Sequence, residues 1–194
     1  IQWNHPGWPD DKSTLYPVHE DLLKAGKIHA VEVLNYMEYY PVAFDWCNQY
    51  GIAPMANTDI HDLVSGDYGW GGGKMRPMTL VFATERSEKG IKEALFARRT
   101  AALFDGKLMG KAEYLMKLVQ SSLKIRRIND KTIEVTNISD IPFEMTNGGK
   151  LYLFPCRKTV RIGIPKEGAL VFENCFVGMN QKLSIPFEWW SSIF

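Results

Sequence analysis

The feature that most constrains this chain is a change of pattern partway along it. Up to about residue 105, short apolar runs alternate with helical patterns. Ile1–Asn4, His29–Asn35, Ile52–Thr58, Thr79–Ala83 and Thr100–Phe104 read as strands. Between them, Glu20–Gly26 reads as a short helix stopped by glycine. Pro41–Tyr50 reads as a helix with proline at its first position and Gly51 past its end. A third helix opens at the N-cap Ser87 and carries Ile91, Ala94, Leu95 and Arg98 at helical spacing. This alternation predicts βα units and a parallel sheet or barrel, with too few strands for a closed barrel.

Lys111–Leu123 is one more helical pattern, with Tyr114, Leu115, Leu118 and Val119 on one face. Beyond it the runs become short and β-prone, from Lys124–Ile128 to Lys182–Phe187. They are separated by turn signals at Asn129-Asp130, Asn147-Gly148-Gly149 and Lys166-Glu167-Gly168. The expected organisation is an α/β region over residues 1–121 and a small all-β sandwich over 122–194.

Composition narrows the class of protein. Hydrophobic residues make up 45% and charged residues 23% of 194, an ordinary globular balance. Lys plus Arg is 23 and Asp plus Glu is 22, so no overall basic footprint indicates nucleic acid. No apolar run reaches the roughly 18 residues of a membrane span. Cys47, Cys156 and Cys175 are too few for a disulfide framework. They read as small buried hydrophobes, with a Cys156–Cys175 bridge left open. The chain opens on Ile1 without a signal-like start. The true N-terminus is expected upstream, which leaves periplasmic and cytoplasmic locations both open.

Residues able to carry chemistry gather in the first half. His5 ends the first strand, Glu32 and Asn35 lie in the second, and Asp59 and His61 end the third. In a parallel sheet these ends share one rim, where sites form. Asp59 and His61 are two apart, so extended backbone would send both side chains the same way, as a two-ligand clamp. Carboxylate plus imidazole suits Zn, Mn or Fe better than Ca. Each residue also has a plainer reading. His5 before proline is an ordinary loop residue, and Glu32 is an outward strand residue or a partner of a ligand. Asp62 either holds an imidazole or caps a loop. His19 and His29 read as surface or packing residues. Trp3, Trp8 and Trp70 either flank a pocket or pack in core and loops.

The glycine-rich loop Gly66–Pro77 fits neither the P-loop nor the dinucleotide fingerprint. It reads as a flap carrying Lys74 or Arg76 toward a substrate phosphate, or as a plain surface loop. There is no Gly-x-Ser-x-Gly and no cysteine in a nucleophile context, which argues against a Ser or Cys hydrolase.

Three segments together resemble a known family. Asn4-His5-Pro6-Gly7-Trp8-Pro9, Val31-Glu32-Val33-Leu34-Asn35 and Asn57-Thr58-Asp59-Ile60-His61-Asp62 resemble, in order, the later motifs of the PHP (polymerase and histidinol phosphatase) superfamily. The resemblance implies the second half of a distorted (β/α)7 barrel followed by an accessory β-sandwich. It also implies a cluster of two or three divalent metals and phosphoester hydrolysis by a metal-bridged hydroxide. On it, His5, Asp59 and His61 are metal ligands. Asn35, Glu32, Asp62, Lys74 and Arg76 support them or bind substrate, a phosphorylated small molecule or nucleotide.

The family's opening His-x-His, and the His and Glu ligands after it, have no counterpart among the four histidines of this chain. The chain is therefore expected to be the C-terminal part of a longer enzyme and inactive alone, pairing with a missing N-terminal segment or a second copy. The alternative is a non-catalytic protein whose β module recognises a partner.

Overall fold

The computed structural model describes residues 1–69 and 75–191. Its first layer is a short parallel sheet built around β2 (Ala30–Asn35), all six residues of which are buried. A strand covered on both faces reads as a nearly continuous apolar run, and here Glu32 and Asn35 are the polar exceptions. β1 (Gln2–Trp3) and β4 (Ala53–Asn57) both run parallel to β2. β3 (Glu38–Tyr39) turns back antiparallel onto the end of β2.

Two helices belong to this layer, α1 (Pro17–Lys24) and α2 (Pro41–Tyr50). α2 starts with Pro41 and ends at Gly51 in the left-handed region at φ 61°. Its buried Phe44, Trp46 and Cys47 join Leu23 of α1 and Val31 and Val33 of β2 in one core.

Among the described residues, the outer edge of β4 has no ladder partner of its own. Side chains take that role. The Thr100 hydroxyl donates to the Pro54 carbonyl at 2.8 Å. Thr79 Oγ1 accepts the Ala56 N–H at 2.9 Å and donates to the Ala56 carbonyl at 3.0 Å. This seam joins the parallel strands to β5 (Met78–Val81) and β6 (Thr100–Phe104), so the sheet curls as half of a barrel.

From there the topology departs from the expected parallel series. The short helix α3 (Val64–Tyr68) follows β4, and β5, β6 and β7 (Lys107–Gly110) are antiparallel, with α4 (Glu88–Phe96) between β5 and β6. β6 and β7 are joined only by Asp105-Gly106, both at positive φ. A two-residue Asp-Gly connection closes a hairpin, whereas a parallel return needs a long crossover. Ser87 caps α4 as expected, accepting the Gly90 N–H at 3.0 Å.

β7 continues into the second half of the chain. It pairs in parallel with β13 (Ala169–Gly178), through Cys175 opposite Leu108 and Phe176 opposite Met109. β13 also pairs with β10 (Phe143–Asn147) and with β14 (Gln181–Pro186), and β11 (Lys150–Phe154) completes a seven-stranded sheet. A three-stranded sheet of β8 (Leu123–Asn129), β9 (Thr132–Asn137) and β12 (Thr159–Gly163) lies beside it in the order β12-β9-β8.

One core serves both sheets and the helix α5 (Ala112–Ser122). It includes Leu108, Leu115, Val119, Ile133, Phe172 and the fully buried Trp190 of α6 (Phe187–Ser191). The expected division after residue 121 lies inside the last turn of α5, one residue before its end, and the seven-stranded sheet draws strands from both sides of it. No described helix is long and apolar enough to cross a membrane.

Candidate metal and phosphate site

The tips of β1, β2 and β4 share an unusual backbone. His5, Tyr36 and Asp59, each just beyond its strand, all lie in the left-handed region, at φ 50°, 53° and 49°. Left-handed geometry is unfavourable for side-chain-bearing residues, costs on the order of 1–3 kcal/mol each, and gathers at functional sites. Here it turns three adjacent parallel strands sharply onto one rim.

Glu32 lies beneath that rim, only 1% exposed. Its Oε2 accepts the His5 backbone N–H at 2.7 Å and the Asn35 amide at 3.0 Å. Its Oε1 accepts the Asn57 amide at 2.6 Å. One buried carboxyl therefore ties the ends of β1, β2 and β4 together. Three accepted hydrogen bonds are what a buried carboxyl needs in order to be tolerated.

The His5 ring stands above this hub, with Nδ1 2.8 Å from the Asn35 amide nitrogen and 3.7 Å from Glu32 Oε2. Its Nε2 faces Asp59 Oδ1 at 3.8 Å, too long for a hydrogen bond. The hydrogen bonds also fix tautomers. Asn35 donates to His5 Nδ1, which places the neutral ring's proton on Nε2. His61 Nδ1 lies 2.8 Å from the Asp59 carbonyl, which only accepts. His61 therefore carries its proton on Nδ1 and leaves Nε2 as a free lone pair.

The expected Asp59–His61 clamp takes a different form. β4 ends at Asn57 and Asp59 is left-handed, so the backbone is not extended through the motif. Asp59 is brought to His5, while the exposed His61 ring is turned back onto the Asp59 backbone. Asp62 bonds the following Leu63 N–H at 2.7 Å, the loop-capping arrangement. Arg76 lines the same cleft of about 990 Å³ as His5, Glu32, Asn57 and Asp59. Lys74 lies outside the described residues.

Sequence reasoning passed over several contributors. Asn57, within a quoted motif but given no role, is a partner of Glu32. Thr79 both lines the cleft and stitches β4. Tyr40 packs its ring against Gly7, where an added Cβ would fall 2.6 Å from Tyr40 Cε1. Burial, and a 2.6 Å hydrogen bond donated to Glu38 Oε2, hold the Tyr40 hydroxyl proton well above the phenol range. The glycine of His-Pro-Gly was the available signal for that close approach.

The fold resembles that of a two-domain protein from Bacteroides vulgatus ATCC 8482, described as containing a predicted PHP-like metal-dependent phosphoesterase. The TM-score is 0.87 at 31% identity. The match covers 95% of this chain and 60% of the Bacteroides protein, so the chain spans less than two thirds of its length. No protein-family model and no curated protein matches the sequence.

The donor set fits a divalent cation in kind but not in number. Imidazole and carboxylate face each other across the rim, above a buried carboxyl that buttresses them. Among the described residues, however, no group of three or more His, Cys, Asp or Glu side chains comes together to hold a metal. His5 also presents a protonated Nε2 unless its Asn35 bond is rearranged. With Asn35 turned over, its carbonyl oxygen would accept from His5 Nδ1, but that oxygen would then face Glu32 Oε2, which tolerates it only when protonated.

Proposed function

We propose that this chain supplies one wall of the active site of a PHP-type metal-dependent phosphoesterase acting on a phosphorylated small molecule or nucleotide. The reading is carried by one observation: His5 and Asp59 face each other at 3.8 Å over the buried Glu32 hub. The likeness to the Bacteroides protein supports it. Asp59, the free Nε2 of His61 and, once its Asn35 bond is rearranged, His5 would hold divalent cations, with Zn, Mn or Fe suited to such donors. The remaining ligands would come from protein outside these residues. When bound, such ions neutralise phosphate charge and activate water.

The chain's own residues do the rest. Glu32 holds the three strand tips in register, Asn35 orients the His5 ring, and the Arg76 guanidinium on the cleft wall is suited to a phosphate oxygen pair.

The test is divalent-metal content by elemental analysis, with Asp59→Ala and His5→Ala as controls. The proposal expects the wild-type chain, which holds only part of the ligand set, to retain some Zn, Mn or Fe after equilibration with the ion, and both variants to lose it. Equal metal content in all three proteins would overturn it.

A further inference from the structure

Beside the cleft, on the far side of His5, lies a second pocket of about 480 Å³. Its walls are Trp3, Trp8, Tyr16 and His19, and it meets the first cleft at Asn4 and His5, which line both. Four aromatic or heteroaromatic rings around a space of small-molecule size is a composition suited to recognising another ring.

The rings are arranged as a floor and a lip. Trp3 is stacked on Trp46 of α2, with ring centres 5.0 Å apart and planes within 10°. Against it the His19 ring sits 4.1 Å away, and Tyr16 meets His19 edge-on at 5.7 Å. His19 Nδ1 is buried with no hydrogen-bond partner among the described residues, so that atom does not reach into the pocket as a polar anchor.

The lip is Trp8, 76% exposed, and Tyr16, 44% exposed. The Trp8 loop is pinned. The Trp8 N–H donates to the His5 carbonyl at 3.0 Å and Asp11 N–H to the Gly7 carbonyl at 2.6 Å, while the Thr14 hydroxyl bonds Asp10. An exposed indole on a pinned loop is held open to receive a flat partner at little ordering cost.

We infer that this pocket is a ring-binding subsite, which takes the planar aromatic part of a phosphoester whose phosphate lies in the neighbouring cleft. The inference rests on the phosphoesterase reading for the phosphate alone. The recognition of a ring stands on the pocket's own rings.

Adenosine, which has a ring and no phosphate, separates the two. Isothermal titration of the chain with adenosine is expected to show binding. Trp8→Ala and Tyr16→Ala should each weaken it about tenfold, the usual scale of losing one stacking partner, and Trp8→Phe should restore most of it. Absence of adenosine binding, or equal binding by the wild type and both alanine variants, would overturn the inference. Retention of divalent metal, lost in Asp59→Ala, is the separate arm. Metal retention without adenosine binding sinks the ring subsite and keeps the phosphoesterase reading. Adenosine binding lost in the Trp8 and Tyr16 variants, with the same metal content in wild type and Asp59→Ala, keeps the subsite and sinks the phosphoesterase reading.

Discussion

Removing the Glu32 side chain should cost much more than neutralising it. Glu32→Ala leaves three donors without their acceptor: the His5 N–H, the Asn35 amide and the Asn57 amide. A stranded buried donor costs about 1–3 kcal/mol. Asn35 is fully buried and bears the whole penalty, whereas the His5 and Asn57 groups are part-buried and recover some of it from water. The sum is about 3–5 kcal/mol.

Glu32→Gln keeps one oxygen for His5 and Asn35 and turns an amide toward Asn57, whose own amide can turn over to accept. It also removes a buried carboxyl's desolvation cost. These effects offset, leaving a change within about 1 kcal/mol. Urea unfolding at constant m-value reads the difference. At about 2–4 °C per kcal/mol for a chain of this size, Glu32→Ala should melt about 6–20 °C lower. An alanine variant melting with the wild type, or a glutamine variant as unstable as alanine, would refute the assignment of Glu32 as the tie between strand tips.

Further outcomes follow from other contacts. Gly7→Ala drives a methyl into the Tyr40 ring and should cost about 1–3 kcal/mol in thermal unfolding, and an unchanged melt would refute that packing. Burial pushes the Cys175 thiol up to about 12 and raises Cys47 as well, so maleimide at neutral pH should label Cys156 alone in the native protein and all three cysteines in urea, read by mass spectrometry. Hydrogen bonds from Arg126 and then Arg161 hold the Glu134 carboxyl below its ordinary range. A depressed folded value adds stability that is fully present above the ordinary carboxylate value and is lost as pH falls from there through the lowered folded one. The stability gap between wild type and Glu134→Gln should therefore close on acidification, and a gap constant with pH would refute the pairing.

The elements marked by strong local chemistry were legible in the sequence. Pro41 and Gly51 bracket α2, Ser87 caps α4, and Asn147-Gly148-Gly149 turns β10 into β11. β7 was missed although Asp105-Gly106 announces its hairpin, because the α/β rhythm before it favoured a parallel reading. The strand directions of β5 and β6 depend on pairing with residues far along the chain, which periodicity does not encode.

At the site, the strand-end placement of His5, Asn35 and Asp59 was legible, because strand ends can be read from where apolar runs stop. The left-handed turn at Asp59 was not, and it decides that Asp59 meets His5 rather than standing beside His61. Glu32 was ambiguous by alternation alone. Its role as acceptor depends on two neighbouring strands that only the fold brings to it.

The parallel pairing of β7 with β13 has a consequence for how such a protein can be rearranged. A chain ended after α5 would leave the β7 edge bare and strip Leu108 and Leu115 of Phe172 and Cys175 from their common core. The rim that carries His5 and Asp59 is stitched by Thr79 and Thr100 to strands β5 and β6 of that same sheet. The β-rich tail is therefore no detachable passenger. Exchanging the back while keeping the front that carries His5 and Asp59 would have to supply a strand matching β13 in register.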